Sequence, residues 1–152
     1  MDAKLINPFI ASFNHVMQQM GFSTIKTGTL SVKGRELEAE GLVLVVGLVG
    51  DLKGNIVYIM DEAIARQIAS KMMMGMPVPE MDTMARSSLS ELSNMLSAHA
   101  ATGITALGYN VDISPPNMMQ GSGIHIIMSA DKVLCIEMVA DGLPIQLNIA
   151  IG

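Results

Sequence analysis

The N-terminal segment carries the apolar pattern of an amphipathic helix. Its apolar side chains recur at steps of one, three and four residues, at Leu5, Ile6, Phe9, Ile10, Phe13, Val16, Met17 and Met20. Asp2 is a candidate N-cap and Gly21 a candidate C-terminal stop. Pro8 would lie in the second turn of this helix, where it removes a backbone hydrogen bond or delays the helix start.

Three strand patterns follow this helix. Polar and apolar residues roughly alternate over residues 24–32, and Gly34 with Arg35 indicates a turn. Residues 38–49 include a continuous apolar run, which is typical of a central strand covered on both faces. A glycine-containing turn then leads to a third strand over residues 55–60. We expect these three strands to form an antiparallel meander.

Two helices and a second set of strands account for the remainder. The pattern predicts a helix over residues 62–74 with Asp61 as its N-cap, and a longer helix that Asp82 opens and that runs to residue 107. Strand-like runs cover residues 124–128, 133–139 and 145–151, and residues 111–114 are a further candidate. This order predicts one α+β domain over residues 1–152, with a mainly antiparallel sheet and helices packed on one side.

Composition and charge narrow the class of protein. The chain is 50% hydrophobic but 3% aromatic, with 15 Met and no Trp, so we expect aliphatic and Met side chains to fill its core. The longest apolar stretch, residues 41–50, is far shorter than the roughly 20 residues of a membrane span. No secretion signal is visible, so a cytoplasmic protein with no membrane insertion is expected. The net charge of -5, without a basic run, argues against nucleic-acid binding.

The long predicted helix has an unusual polar face. On a helical wheel of about 100° per residue, the side chains within roughly 60° of Glu91 are Met84, Ser87, Asn94, Met95, Ala98, Thr102 and Thr105. Solvated helix faces usually carry several Lys, Arg and Glu residues, whereas this face has one charge among hydroxyl and Met side chains. It is therefore suited to contact with another protein.

Glu91 and Asn94 are three residues apart, so a carboxylate and a carboxamide project side by side. A carboxylate can bind a lysine of a partner, and a carboxamide can hold a water molecule in line with a phosphoryl group. Neither group is a strong nucleophile, so the pair is suited to positioning rather than to covalent catalysis. The same spacing is also typical of ordinary solvated surface residues.

The octet from Ser87 to Asn94, Ser-Ser-Leu-Ser-Glu-Leu-Ser-Asn, is followed by Pro115-Pro116. It resembles the Ser/Asp-xxx-Glu-xx-Asn pattern with a downstream proline that characterises the CheC, CheX and FliY chemotaxis phosphatases. The segments 47–54, 73–76 and 111–116 resemble CheX-type members in order and spacing. CheC-like members typically carry the pattern on two helices, whereas the first helix here has Ser12, then Val16 in place of Glu and Gln19 in place of Asn. A single active helix indicates the CheX type.

The resemblance implies a phosphatase that acts on a phosphorylated CheY-like response regulator. Glu91 would pair with the regulator's lysine, and Asn94 would orient the attacking water. The expected binding residues beside this pair are Ser87, Met84, Met95 and Ala98. The chain would need no cofactor of its own, because the regulator brings its magnesium, and it would form a homodimer joined through its β-sheets. The alternative is a non-enzymatic adaptor that docks a response regulator or flagellar-signalling partner on the same face.

Other chemistry-bearing residues favour structural roles. His15, His99 and His125 lie on three predicted elements without a second ligand at metal spacing, so no metal site is expected. Cys135 is the only cysteine and lies in an apolar run, where a small buried side chain is expected. The methionines of residues 72–76 suggest core and loop packing, with a docking surface as the alternative.

Overall fold

The structure of the protein is a computed structural model that describes residues 3–152, and the predicted cap Asp2 lies outside them. A 3-10 turn, Ala3–Leu5, leads into helix α1, Asn7–Gln19. Pro8 lies in the first turn of α1, where its missing N–H has no intrahelical partner to lose. The helix ends before Gly21, whose φ of 97° is the left-handed conformation that favours glycine.

The predicted order of helices and strands is confirmed, with four strands in the second set. The remaining elements are β1 (Ile25–Lys33), β2 (Glu36–Gly50), β3 (Gly54–Met60), α2 (Glu62–Met72), α3 (Thr83–Ala106), β4 (Val111–Ile113), β5 (Asn117–Ile127), β6 (Val133–Ala140) and β7 (Leu143–Ile151). The protein is thus an α+β fold with an antiparallel sheet.

The strand pairing corrects the predicted meander. The sheet order is β1-β6-β7-β3-β2-β4, and β5 also pairs with β2. Strands β2 and β3 form the expected hairpin, but β1 pairs with β6 at the far edge, where Lys33 lies opposite Val133. Alternation and turn residues indicate where strands are, whereas the partner of each strand is chosen by packing across the whole chain.

Strand β5 begins at Asn117, earlier than the predicted start at residue 124. Its first seven residues do not alternate regularly between polar and apolar and contain Gly121 and Gly123, both with positive φ, which hides the strand pattern. The register with β2 shifts between Ala39 and Gly41, so the first part of β5 pairs with β2 in a different register from the second part. The extra length matters because it brings the beginning of β5 beside α3.

Each face of the sheet is covered by its own core. Alternate residues of β2 contribute to both: Leu42 and Leu44 to the larger core beneath the helices, and Val43 to a smaller core on the opposite face. The prediction of a central strand covered on both faces is therefore confirmed. All three Phe are buried in the larger core together with Met17 and Met60, as the ring-poor composition suggested.

The methionines of residues 72–76 divide between core and solvent. Met72 and Met73 pack against the larger core. Met74 is 97% exposed and Met76 is exposed as well, in the turn after α2, where Met74 and Gly75 both have positive φ. The predicted core and loop packing is thus confirmed for Met72 and Met73, whereas Met74 and Met76 lie in the loop but do not pack.

Candidate active site on helix α3

Helix α3 is a firmly anchored platform. Its N-terminus is capped by Asp82, whose carboxylate accepts a hydrogen bond from the backbone N–H of Ala85 at 2.9 Å. One side of the helix is buried in the larger core through Leu89, Leu92 and Leu96. The opposite side is therefore held in a fixed direction toward solvent.

The predicted polar face is exposed in the folded protein. Ser87 and Glu91 are exposed, and Asn94 is half-buried beside them. Met84 is 62% exposed, so its apolar side chain is available to a partner. Met95, also expected in the binding surface, is half-buried and packs against the larger core.

A groove runs along this face, with a volume of about 510 Å³. One wall belongs to α3 and the other to the segment that enters β5; the lining residues are Thr83, Arg86, Ser87, Ser90, Glu91, Asn94, Pro116 and Met118. Of the predicted site residues, the groove brings together Ser87, Glu91 and Asn94. Met84, Met95 and Ala98 lie outside the lining, and Ala98 is exposed further along α3.

The second wall of the groove is anchored to β2. The backbone N–H of Gly47 donates to Ser114 Oγ at 2.7 Å, and the N–H of Ser114 donates to the carbonyl of Gly47 at 2.9 Å. A Cβ at Gly47 would lie only 3.1 Å from Ser114 Oγ, so glycine permits this close approach. The anchor fixes the chain immediately before Pro115 and Pro116.

Arg86 is a groove residue that sequence analysis missed. Its Nη1 donates to Oε1 of Gln120 at 2.7 Å, which links α3 to β5. Met118 and Gln120 are two residues apart on a strand and so face the same side. No local sequence pattern predicts the β5 side of the groove, because its position depends on the pairing of β5 with β2.

The buried side of α3 is joined to the sheet by a contact between two hydroxyl groups. Tyr58 Oη and Ser97 Oγ lie 2.8 Å apart, and burial raises the pKa of Tyr58 far above its ordinary value. Tyr58 therefore stays protonated and neutral at physiological pH. Its role is to hold α3 on β3 rather than to titrate.

Helix α1 presents no equivalent face. The Ser12 hydroxyl is buried and donates to the carbonyl of Leu96 on α3. Val16 is 3% exposed and belongs to the larger core, and Gln19 alone of the three is exposed. The position that would carry a second glutamate thus points into the protein.

Two of the three histidines meet although they lie on different helices. The rings of His15 and His99 are stacked with centroids 4.6 Å apart, and His99 Nδ1 has no hydrogen-bond partner among the described residues. His125 is on β5, 3.8 Å from the carboxylate of Glu36. Within residues 3–152, no three metal-ligating side chains are grouped.

Cys135 is buried, as predicted, on the face of the sheet away from the helices. Its Sγ donates to Oδ1 of buried Asn148 at 2.7 Å, and burial raises the pKa of the thiol. A raised thiol pKa disfavours the reactive thiolate. None of the helices in the described part of the chain combines the length and hydropathy that a membrane span requires.

The chain is similar to known chemotaxis proteins. Residues 42–138 match the family model described as chemotaxis phosphatase CheX. The CheY-P phosphatase CheX of Thermotoga maritima is 32% identical over 126 residues, which cover 83% of this chain and 81% of the relative.

Solved structures agree in fold over almost the full length. The CheX of Borrelia burgdorferi, solved as a complex with CheY, beryllium fluoride and Mg²⁺, is 28% identical with a TM-score of 0.83 and 96% of each chain covered. A CheC-like superfamily protein of Shewanella sp. PV-4 has a TM-score of 0.88 at 23% identity, with 100% of this chain and 99% of that chain covered. The anchored α3, its polar groove and these matches together lead to one conclusion: the chain belongs to the CheX family of chemotaxis phosphatases.

Proposed function

We propose that this protein hydrolyses the phosphoaspartate of a CheY-like response regulator through the groove on α3. The observation that carries the proposal is that Glu91 and Asn94 lie together in an open groove in a member of the CheX family. The Thermotoga relative is named as a CheY-P phosphatase, and the Borrelia relative was solved with CheY. Both fit a regulator docked on this groove.

Asn94 is the residue to which we assign the positioning of water. Its carboxamide oxygen accepts a hydrogen bond from the attacking water, and its amide N–H donates toward the phosphoryl oxygens. A bond forms between the water oxygen and phosphorus while the bond from phosphorus to the aspartyl oxygen breaks. The water proton leaves with phosphate, and the aspartate carboxylate is restored. Holding the water in line reduces the entropy cost of this step.

We assign Glu91 to an ion pair with the regulator's active-site lysine. Glu91 is exposed at the groove, so its carboxylate can meet a cationic side chain without first leaving an internal partner. Among the lining residues it is the sole carboxylate. A magnesium ion prefers several oxygen ligands, so the groove by itself is a poor magnesium site, and we assign the metal to the phosphorylated regulator.

The surrounding residues form the proposed contact surface. Ser87 lines the groove beside Glu91, and Met84 and Ala98 are exposed on the same helix. Met95 supports the surface from its half-buried position against the core. Flexible Met side chains adapt to partner surfaces of different shape. The cytoplasm stays our prediction for the place of this reaction.

A homodimer joined through the sheets is also part of the proposal. Strand β1 is an edge strand, and it exposes the apolar side chains of Leu30 and Val32. An unpaired edge with apolar side chains is a ready surface for pairing with another strand. Light scattering should give about twice the chain mass of 16.2 kDa, and a monomer mass would contradict this assignment.

The decisive experiment follows the decay of a phosphorylated CheY-like regulator with and without the protein. We expect acceleration by the wild type and a loss of about 100-fold in the accelerated rate for Asn94→Ala, as for removal of a positioned polar group. Asn14→Ala, which changes a half-buried amide on α1, is the matched control and should keep full activity. Full activity in Asn94→Ala would refute the assignment.

The same measurements separate the enzyme from an adaptor. An adaptor would bind the regulator on the α3 face and leave the lifetime of its phosphoaspartate unchanged. Binding without acceleration by the wild type would therefore replace the phosphatase with the adaptor.

A further inference from the structure

Arg86 carries a charge that nothing within the described chain neutralises. Its Nη1 is bonded to the neutral side chain of Gln120, and no carboxylate of the described residues forms an ion pair with it. The guanidinium has five N–H donors, so one bond to Gln120 leaves the others unused. Arg86 lines the groove that contains Glu91 and Asn94.

Gln120 restrains the guanidinium of Arg86. The bond between Arg86 and Gln120 joins two elements of regular structure, α3 and β5. A guanidinium held in one orientation loses less side-chain entropy when a second group binds it. It is therefore prepared to receive a planar anionic group at a defined distance from Glu91 and Asn94.

Position along the helix decides which anion Arg86 can meet. Arg86 precedes Asn94 by eight residues, which corresponds to about 12 Å along the helix axis. The bond to Gln120 keeps the guanidinium at its own end of the groove. A phosphoryl group in line with a water on Asn94 would lie about two helical turns from the backbone of Arg86, which favours a carboxylate on the partner surface beside the phosphorylation site as the anion that Arg86 meets.

We propose that Arg86 is a specificity-determining residue that binds a surface carboxylate of the response regulator next to its phosphorylated site. The inference rests on the proposed function for the identity of the partner. Glu91 and Arg86 are the two charged side chains of the groove lining. Along the groove they present a positive group and then a negative group, and this arrangement favours a partner whose surface has a negative group and a positive group at the matching positions.

The test measures affinity for a CheY-like regulator in its free form and in its beryllium fluoride form. Arg86→Gln should weaken binding of both forms about fivefold, because a paired charge is lost and an amide remains. It should also reduce the slope of log Kd against log salt concentration. Arg66→Gln is the matched control, because Arg66 is a half-buried arginine on α2 outside this groove.

Two further variants separate charge from structure. Gln120→Leu removes the link between α3 and β5 but keeps the charge, so the salt slope should stay close to the wild-type value. Arg86→Lys keeps the charge without the planar fork and should recover the salt slope and part of the affinity. Thermal unfolding of each variant reports the contribution of the link to stability.

Three results would overturn the inference. Unchanged affinity and salt slope in Arg86→Gln would remove Arg86 from the interface. Weaker binding of the beryllium fluoride form alone would assign the phosphoryl group, not a carboxylate, as its ligand. Equal losses in Gln120→Leu and Arg86→Gln, with the wild-type salt slope, would reduce Arg86 to a structural link. Failure of the wild type to accelerate phosphoaspartate decay would instead refute the proposed function.

Discussion

Helices α1 and α3 pack against each other, and a serine occupies the first pattern position on each, yet the two serines have opposite environments. Ser87 is exposed on α3 and lines the groove. Ser12 is buried on α1, where its hydroxyl bonds to the carbonyl of Leu96. Four residues further along each helix, Glu91 is exposed and Val16 is in the core.

The difference is one of rotation about the helix axis. On α3 the apolar stripe that contains Leu89, Leu92 and Leu96 faces the core and turns the pattern positions outward. On α1 the apolar stripe includes Val16 itself, so Ser12 and Val16 turn inward and Gln19 is exposed. Spacing along a helix is therefore necessary for such a site, and the direction of burial decides whether the site exists.

The largest expected effect comes from writing the α3 pattern onto α1. Val16→Glu combined with Gln19→Asn supplies both residue types but buries a carboxylate without a partner. We expect the free energy of unfolding to fall by about 4 kcal/mol, with no gain in phosphatase activity. Urea denaturation measures the loss, and Ala11→Glu on the exposed side of α1 should stay within about 0.5 kcal/mol of wild type. A stable double variant with a second active site would contradict the conclusion that the direction of burial excludes a site on α1.

A change at Glu91, the exposed position on α3 that corresponds to Val16 on α1, should affect activity rather than stability. Glu91→Gln keeps the shape of the side chain and removes its charge, so the ion pair with the regulator's lysine is lost. We expect about a tenfold decrease in the accelerated rate of phosphoaspartate decay, with an unchanged melting temperature. Glu62→Gln, at an exposed position on α2, should leave the rate at the wild-type value. Equal rates for both variants would remove Glu91 from the mechanism.

The smallest effect concerns Asp141, whose carboxylate binds the segment that follows α1. The backbone N–H groups of Thr24 and Ser23, and then the ammonium of Lys71, lower the pKa of the Asp141 carboxyl below its ordinary value. A lowered folded-state pKa contributes stability that is present above the unfolded-state pKa of about 4 and is lost as the pH falls through the folded value. Asp141→Asn should thus be slightly less stable than wild type at pH 7.

The pH dependence distinguishes this carboxylate from an ordinary surface charge. Below about pH 4 the stabilities of wild type and Asp141→Asn should converge in urea denaturation, because the wild-type carboxyl becomes protonated. Asn also tolerates the positive φ of 49° at this position, so backbone strain is not introduced. Parallel curves for the two proteins from pH 7 to pH 3 would contradict the assignment.

The exposed half of the site was predictable from sequence because it lies on one helix. Asp82 and the apolar stripe of α3 define the helix and its rotation, which is sufficient to group Ser87, Glu91 and Asn94. These residues are neighbours through the period of the helix alone. No long-range contact is needed to place them on one face.

The other wall of the groove could not be predicted from the residues alone. Pro116 entered through its resemblance to the family pattern, whereas Met118 and the bond between Arg86 and Gln120 depend on how β5 pairs with β2. The glycines at the start of β5 conceal the strand. The partner of β1 was missed for a related reason, since nothing near β1 in sequence indicates that β6 lies beside it.

The pairing of β1 with β6 sets an order of events during synthesis. Lys33 pairs with Val133, 100 residues later, so β1 leaves the ribosome long before its partner exists. At ordinary translation rates this interval is about 5 to 20 s, much longer than the formation of a hairpin. The backbone N–H and C=O groups of β1 lack their β6 partners throughout this interval. We therefore expect the nascent chain to depend on chaperones until β6 emerges, and the sheet to close last along β1.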